Sequence, residues 1–383
     1  LKCQKGLEPV QALFHYNIKM AGIYIHIPFC TKKCHYCNFC SVPFDTSLKE
    51  HYTEALLKEI SYSDYSQQIE TVYFGGGTPT VLDISDIERI LSSLEKRFSF
   101  VSEPEVSIEA NPETVDRKKL LQLKSLGINR LSLGVQSLNQ NELILLGRTH
   151  DVKKAKEALW LVSDCYENFS VDLIYGIPGQ DTLSVETTLN TVLKVKPPHI
   201  SAYELTVEEG THLHQQIKNH ILKLPEEEKV EEMYWCIVNV LRSQGYEHYE
   251  ISNYATPGGQ CRHNLNYWLR GEYIGFGASA SSLISNRRTR NVADVHRYIK
   301  IIKTEGKATA EKIELHEKDI REEEIMLGLR TSRGIDISRI PNNTLINNLQ
   351  KQGLIKINND RIVLTDRGML LSNRIILELI KDN

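Results

Sequence analysis

The sequence predicts an α/β fold built on a parallel sheet, followed by a smaller C-terminal helical, winged-helix-like domain. Three observations carry this. From residue 23 to about residue 203 short apolar segments alternate with helical patterns, and repeated strand–helix alternation means parallel pairing with right-handed crossovers. Several of those segments finish in a polar residue or glycine, at Gly75, Glu109, Gln136 and Asp172, and a full or partial βα barrel places its chemistry at the carboxyl ends of its strands. The end of the chain reads helix, helix, β-hairpin, with residues 355–357 and 362–364 flanking the turn Asn358, Asn359, Asp360. An open doubly wound sheet and a closed barrel both satisfy the alternation.

The expected strands cover residues 23–27, 71–74, 105–109, 130–136, 170–175 and 199–203. Helices are expected over 48–61, 84–97, 116–126, 151–165 and 183–193. Asp116 and Asp151 stand where N-caps would, and Gly127 follows a helix as a C-terminal glycine should. After Tyr203 the rhythm changes. Pro225 and the acids Glu226 to Glu228 open a long helix to about Gln244. A Gly- and aromatic-rich stretch runs from Gly245 to Gly277, and residues 299–321 read as a charged connector. The expected organisation is a disordered extension over 1–19, a barrel over 20–224, a separate helix and aromatic segment over 225–298, and the C-terminal domain over 299–383.

Composition narrows the function classes. The 383 residues are 41% hydrophobic and 25% charged with a net charge of −3, a globular balance without a bulk electrostatic case for nucleic acid. The sequence has no apolar run long enough to span a bilayer. Glu8, Pro9, Gln11, His15 and Asn17 interrupt any signal-peptide core. The expectation is a cytoplasmic protein that is not integral to a membrane.

Of eight cysteines, Cys30, Cys34, Cys37 and Cys40 crowd into one segment directly after the first strand. Clustered cysteines in a large cytoplasmic chain indicate metal binding or catalysis rather than a disulfide framework. The spacing Cys-x3-Cys-x2-Cys suits an iron–sulfur cluster with one iron left open. A zinc site including Cys40 is the alternative, and an awkward one, since structural zinc usually takes ligand pairs with a longer spacer.

The run Tyr24-Ile-His26-Ile-Pro28-Phe29-Cys30-Thr-Lys-Lys-Cys34-His-Tyr36-Cys37 resembles the cluster loop of radical S-adenosylmethionine (SAM) enzymes, in the coproporphyrinogen dehydrogenase-like group. The resemblance implies a partial (β/α)6 TIM-type barrel and a [4Fe-4S] cluster on Cys30, Cys34 and Cys37. It also implies SAM chelated to the open iron and cleaved reductively to a 5′-deoxyadenosyl radical. Gly75-Gly76-Gly77-Thr78-Pro79 is similar to the family's glycine motif, which implies SAM contacts at Gly76, Gly77 and Thr78. Four more matches follow in order and imply SAM-binding roles for Glu109, Gln136, Arg148 and Asp172. Taken singly, each of these is more ordinarily a solvated strand-end residue. Tyr24 and His26 share one face of the first strand, so Tyr24 is expected near the cluster and SAM.

Two segments bear on the branch. Cys37 is followed by Asn38-Phe39, which resembles the heme chaperone branch, whereas the dehydrogenase branch continues Cys-x-Cys; Cys40 fits neither. Cys261-Arg262-His263-Asn264-Leu265-Asn266-Tyr267-Trp268 resembles a signature of the chaperone branch. Imidazole is a common heme ligand and aromatic rings cover porphyrin faces, so heme is expected near this segment with His263 as the candidate ligand. Cys261, His212, His214 and His248 are competitors. The bland alternative is an aromatic-packed loop with an iron-free histidine.

The resemblance thus implies a heme chaperone that holds a [4Fe-4S] cluster, SAM and heme, and delivers heme to membrane-associated respiratory proteins. The alternatives are oxygen-independent coproporphyrinogen III dehydrogenase and a radical SAM enzyme acting on an unrelated substrate.

Overall fold

A computed structural model describes residues 21–381; the extension expected over 1–19 lies outside the described residues. Six parallel strands run in chain order: β1 (Ala21–Ile27), β2 (Ile69–Gly76), β3 (Phe100–Ala110), β4 (Arg130–Gln136), β5 (Phe169–Tyr175) and β6 (His199–Glu204). The sheet continues past β6 through β7 (Glu247–Glu250) and β8 (Asn253–Ala255), in the order β6-β8-β7. On the other side β9 (Glu272–Phe276) lies parallel to β1. Beyond it β10 (Ser281–Ile284), β11 (Arg287–Asn291) and β12 (Thr309–Glu314) continue antiparallel. Its two ends do not pair, so the barrel is a partial one.

The crossover helices are α1 (Thr46–Ser61), α2 (Ile84–Arg97), α3 (Arg117–Ser125), α4 (Gln140–Leu146), α5 (Val152–Cys165) and α6 (Thr182–Val192). Aspartates begin four of them: Asp45, Asp116, Asp151 and Asp181 accept from the N–H three residues on at 2.7–2.8 Å, each worth about 1 kcal/mol. Strand alternation sorts the side chains. Ile23, Ile25 and Ile27 join the core against the helices, while Tyr24 and His26 turn to the other face and meet each other at 3.2 Å.

Three further helices are α7 (His212–Lys218), α8 (Glu227–Ser243) and α9 (Arg262–Trp268). The charged stretch 299–321 is not a connector. Its first part belongs to α10 (Val295–Glu305), whose Val295, Tyr298, Ile299 and Ile302 are buried in the main core. Its middle is β12, an edge strand exposed along its whole length. The charges lie on the solvent side of an amphipathic helix and along an edge that charge keeps from further pairing.

The C-terminal core gathers on α11 (Glu317–Gly328), α12 (Asn343–Lys351), α13 (Asp366–Leu370), α14 (Ser372–Lys381) and a sheet of β13 (Ile335–Asp336), β14 (Ile355–Asn358) and β15 (Arg361–Leu364). Helix, strand, helix, hairpin is the winged-helix order. The hairpin turns where expected, with Asn359 and Asp360 both at positive φ (48° and 59°). Glu323 of α11 reaches Arg270 at 3.0 Å and Arg288 at 2.6 Å, and Tyr234 of α8 donates to the Asp366 carbonyl at 2.8 Å.

Glu59 fastens α1 to both α10 and the turn after β9. Its carboxylate accepts from Gly277 N at 2.8 Å, Asn291 Nδ2 at 2.6 Å and Tyr298 OH at 2.6 Å. Burial raises its pKa to about 7 against the pull of those three donors. The folded chain therefore holds this proton more tightly than the unfolded one. Its contribution to stability falls as pH rises from the unfolded value near ~4.3 to about 7, then levels off. Glu59→Ala strands three buried donors and should cost about 3 kcal/mol or more. Urea unfolding at pH 5 and pH 8 should show both the loss and the disappearance of this pH-dependent component.

Candidate functional site

The cysteine loop leaves the carboxyl end of β1 through Pro28 and returns where Phe29–Cys30 pairs with Val42–Pro43. Backbone contacts hold it from several sides. His35 N donates to Leu146 O at 2.9 Å, Leu213 N donates to His35 O at 2.8 Å, and His26 Nε2 meets Cys40 O at 2.8 Å. The His35 ring packs on Gly147, which ends α4 at φ 73°; a Cβ there would lie 2.6 Å from the ring.

Cys30, Cys34 and Cys37 line one cavity of about 380 Å³, a volume typical of small-molecule sites. Cys40 does not line it, and its Sγ donates to Ala293 O at 3.0 Å. The four sulfurs therefore do not form a zinc cage. Burial raises the Cys30 and Cys37 thiol pKa values, and the charges of neighbouring cysteines push the same way. Thiols whose ionisation is opposed in this way would bind as thiolates only beside a positive partner, which an iron–sulfur cluster would provide.

The glycine turn is latched beneath the loop. Gly77 N donates to Ile27 O and Thr78 N to Phe29 O, both at 2.8 Å. Gly76 has φ 112°, and a Cβ on Gly77 would meet Phe29 O at 2.6 Å, so both positions need glycine. An amino group donates, so the acceptors this turn can offer it are backbone carbonyl oxygens and the Thr78 hydroxyl.

The strand ends supply the cavity wall. Tyr73 OH donates to Glu109 Oε1 at 2.9 Å. Burial raises the Glu109 pKa to about 7; the Asp172 charge adds to the rise, while Tyr73 and the Gly76 N–H oppose it. Asp172 accepts from Ser132 at 2.7 Å and Ser170 at 3.2 Å, and burial raises its pKa despite these hydroxyls. Gln136 lines the cavity in the left-handed region, at φ 66°, a strain of about 1–3 kcal/mol. Arg148 donates Nη1 to Cys34 Sγ at 3.3 Å and Nη2 to Asn111 Oδ1 at 2.5 Å and Gly134 O at 2.9 Å. The residues after it are anchored by Glu113, which accepts from Thr149 at 2.6 Å and pairs with His150 at 3.1 Å.

Gly76, Gly77, Thr78, Glu109, Gln136, Arg148 and Asp172 therefore share the cavity with the three cysteines. Tyr24 does not. It stacks on Tyr73 at 6.3 Å, and Tyr73 forms the wall in its place. The pleat puts Tyr24 on the inner face without deciding which ring reaches the cavity. Reasoning from sequence also missed Asn111, Arg130, Tyr203 and the Ser107–Ser132–Ser170–Ser201 set. Alternation on each strand was the signal available for them.

The Cys261–Trp268 segment lies at the opposite end of the barrel from the cysteine loop. Its helix α9 sits against the strand beginnings. Glu105 of β3 caps it, accepting from His263 N at 3.0 Å and Arg262 N at 3.2 Å. His263 is fully buried, with Nδ1 on Thr71 Oγ1 at 2.8 Å and Nε2 on Tyr267 OH at 2.8 Å. Burial lowers its pKa to about 3. Both ring nitrogens are engaged, so in this structure His263 does not present a ligand to iron; it packs like the iron-free histidine of an aromatic core. Of this segment, Cys261 and Asn264 line the cavity.

Comparison with known proteins gives the family. The Radical SAM superfamily model matches residues 24–192 and the HemN C-terminal domain model matches residues 315–371. A Lactococcus lactis protein named heme chaperone HemW is 34% identical, over 95% of this chain and 98% of that protein. A Bacillus subtilis protein of the same name is 34% identical, over 93% and 98%. Among solved structures, coproporphyrinogen III oxidase (HemN) from Escherichia coli, described as a radical SAM enzyme, has a TM-score of 0.81 at 25% identity, covering 96% of this chain and 91% of that one. The chain belongs to the radical SAM superfamily and, within its coproporphyrinogen dehydrogenase-like group, to the HemW-type proteins.

Proposed function

We propose that this protein is a cytoplasmic heme chaperone that binds a [4Fe-4S] cluster, SAM and heme and hands heme to membrane-associated respiratory proteins. The observation that carries the cofactor part is the convergence of Cys30, Cys34 and Cys37 on a cavity whose other wall holds Glu109, Gln136, Arg148 and Asp172. The chaperone part is supported by relatives of that name matching along nearly the whole chain. Among the described residues no helix is long and apolar enough to cross a membrane. The likeness to coproporphyrinogen III oxidase supports the second reading, a porphyrin-synthesis enzyme.

The chain's own groups divide the work. Three thiolates hold the cluster, and Arg148 stabilises the Cys34 sulfur by donating to it. The cluster, when bound, supplies the electron for cleaving SAM. Glu109 would accept from the SAM amino group, and Asp172 with its serine hydroxyls would take ligand hydroxyls; both carboxyls face the cavity with capacity for such partners. Phe39 is 64% exposed at the cavity rim and offers a flat apolar contact to a porphyrin face.

Three measurements test this reading. Iron and sulfide analysis should show cluster loss in Cys30→Ala, Cys34→Ala and Cys37→Ala, with full occupancy in Cys40→Ala; an intact cluster in Cys34→Ala counts against the assignment. For SAM, the amino group donates better to the Glu109 carboxylate than to its protonated form, so affinity should fall by up to about tenfold from pH 8 to pH 6 around a pKa of about 7. Calorimetry on reconstituted Glu109→Gln should give weaker binding with that pH dependence removed. Finally, heme and coproporphyrinogen III should be offered side by side to anaerobic protein. Tight heme binding without carbon dioxide release supports the chaperone, and turnover of coproporphyrinogen replaces it with the enzyme.

A further inference from the structure

The cavity wall carries buried polar groups that have no protein partner. Ser107 on β3 and Arg130 on β4 are direct register partners, so their side chains stand together on the inner face. They lie one side-chain step below the Glu109–Ser132 pair, on the order of 6–7 Å along the strands. Both residues are 2% exposed or less, both line the cavity, and the Ser107 hydroxyl and Arg130 Nη2 have no hydrogen-bond partner.

Leaving such groups unpaired is costly, more so for a charged donor. Arg130 uses only Nη1, toward Asn168 Oδ1 at 2.7 Å and Gly259 O at 3.1 Å. Its nearest carboxylate, Glu105, is 4.0 Å away and already committed to the N-terminus of α9. Asn264, the α9 residue next to the buried His263, lines the same end. The guanidinium can only donate, and the hydroxyl and the amide NH2 can donate beside it, so an acceptor anion would satisfy all three. Asp172 stands higher on the wall, held by serines, which leaves Glu105 as the carboxylate within 4.0 Å of Arg130.

We propose that Arg130, Ser107 and Asn264 form a carboxylate subsite at the closed end of the cavity, which receives a propionate arm of the bound tetrapyrrole. The identity of that ligand rests on the heme reading above; the carboxylate chemistry does not. The subsite also gives the His263-Asn264 segment a role in ligand binding that needs no iron–imidazole bond.

Two probes separate the claims, each used with the full chain. The first is sodium propionate, followed as a rise in melting temperature against sodium chloride at equal ionic strength. The second is iron mesoporphyrin IX compared with its dimethyl ester, titrated by absorbance. The expected result is stabilisation by propionate and at least tenfold tighter binding of the diacid. Asn264→Leu and Ser107→Val should lose the propionate effect and reduce the diacid preference threefold or more, with unchanged circular dichroism. Arg130→Gln should abolish both, and the milder pair keeps the test decisive if that variant misfolds. No propionate stabilisation together with equal affinity for diacid and ester would overturn the subsite and leave water as the occupant. Propionate stabilisation without binding of either porphyrin would keep the subsite and remove heme as its ligand. Diacid preference unchanged in both mild variants would place the propionate contacts elsewhere and overturn the assignment.

Discussion

Arg148 ties together three segments that the chain keeps far apart: the cysteine loop, the turn after β3 and the interior of β4. A half-buried guanidinium facing a cavity is tolerable only when its surroundings offer acceptors in the right places, because desolvating the charge is costly. Here the acceptors are a cysteine sulfur, an asparagine amide and a backbone carbonyl. The position of Cys34 is therefore coupled to the strand ends rather than left to the loop. The Glu113 contacts to Thr149 and His150 brace the same segment from outside, and they hold the Glu113 carboxyl down at about 2 although its burial opposes this.

The barrel's two ends are closed by different means. At the carboxyl ends of the strands the cysteine loop arches over a cavity that remains open enough for ligands. At the amino ends α9 is packed in by its aromatics and capped by a glutamate, which leaves Asn264 and Cys261 as its contribution to the interior. One segment that reads as ligand-presenting in sequence thus forms the floor of the chamber. His263 serves packing, stacked on Tyr73 at 5.1 Å and edge-on to Tyr267 at 4.8 Å.

Much of the parallel sheet was legible because each strand is apolar on one face and punctuated by a polar residue where it ends. Two of the four aspartate caps, Asp116 and Asp151, were equally plain, since an acceptor three residues before a free N–H is a local feature, whereas Asp45 and Asp181 were not recognised. α4, from Gln140 to Leu146, is too short to show a period and was missed. The stretch 299–321 was misread because its charges dominate composition while its apolar spacing from Val295 to Ile302 decides its packing. Tyr24 and His263 show a different gap. Their faces follow from local periodicity, but which end of a barrel a distant helix covers, or which of two stacked rings reaches a cavity, depends on tertiary placement that no local pattern encodes.

The position of β1 between β2 and β9 has a temporal consequence. One neighbour of β1 follows it closely in the chain, whereas the other arrives roughly 250 residues later, on the order of 12–50 s of synthesis at typical elongation rates of about 5–20 residues per second. Until β9 emerges, the far side of β1 is a row of unpaired N–H and C=O groups on a strongly apolar strand, the kind of edge that templates association with another chain. The nascent barrel can fold from β1 towards β6 in order, but its most hydrophobic strand stays half-dressed until the last parallel strand is made. The interval in which this edge stands unpaired is thus set by chain order rather than by stability.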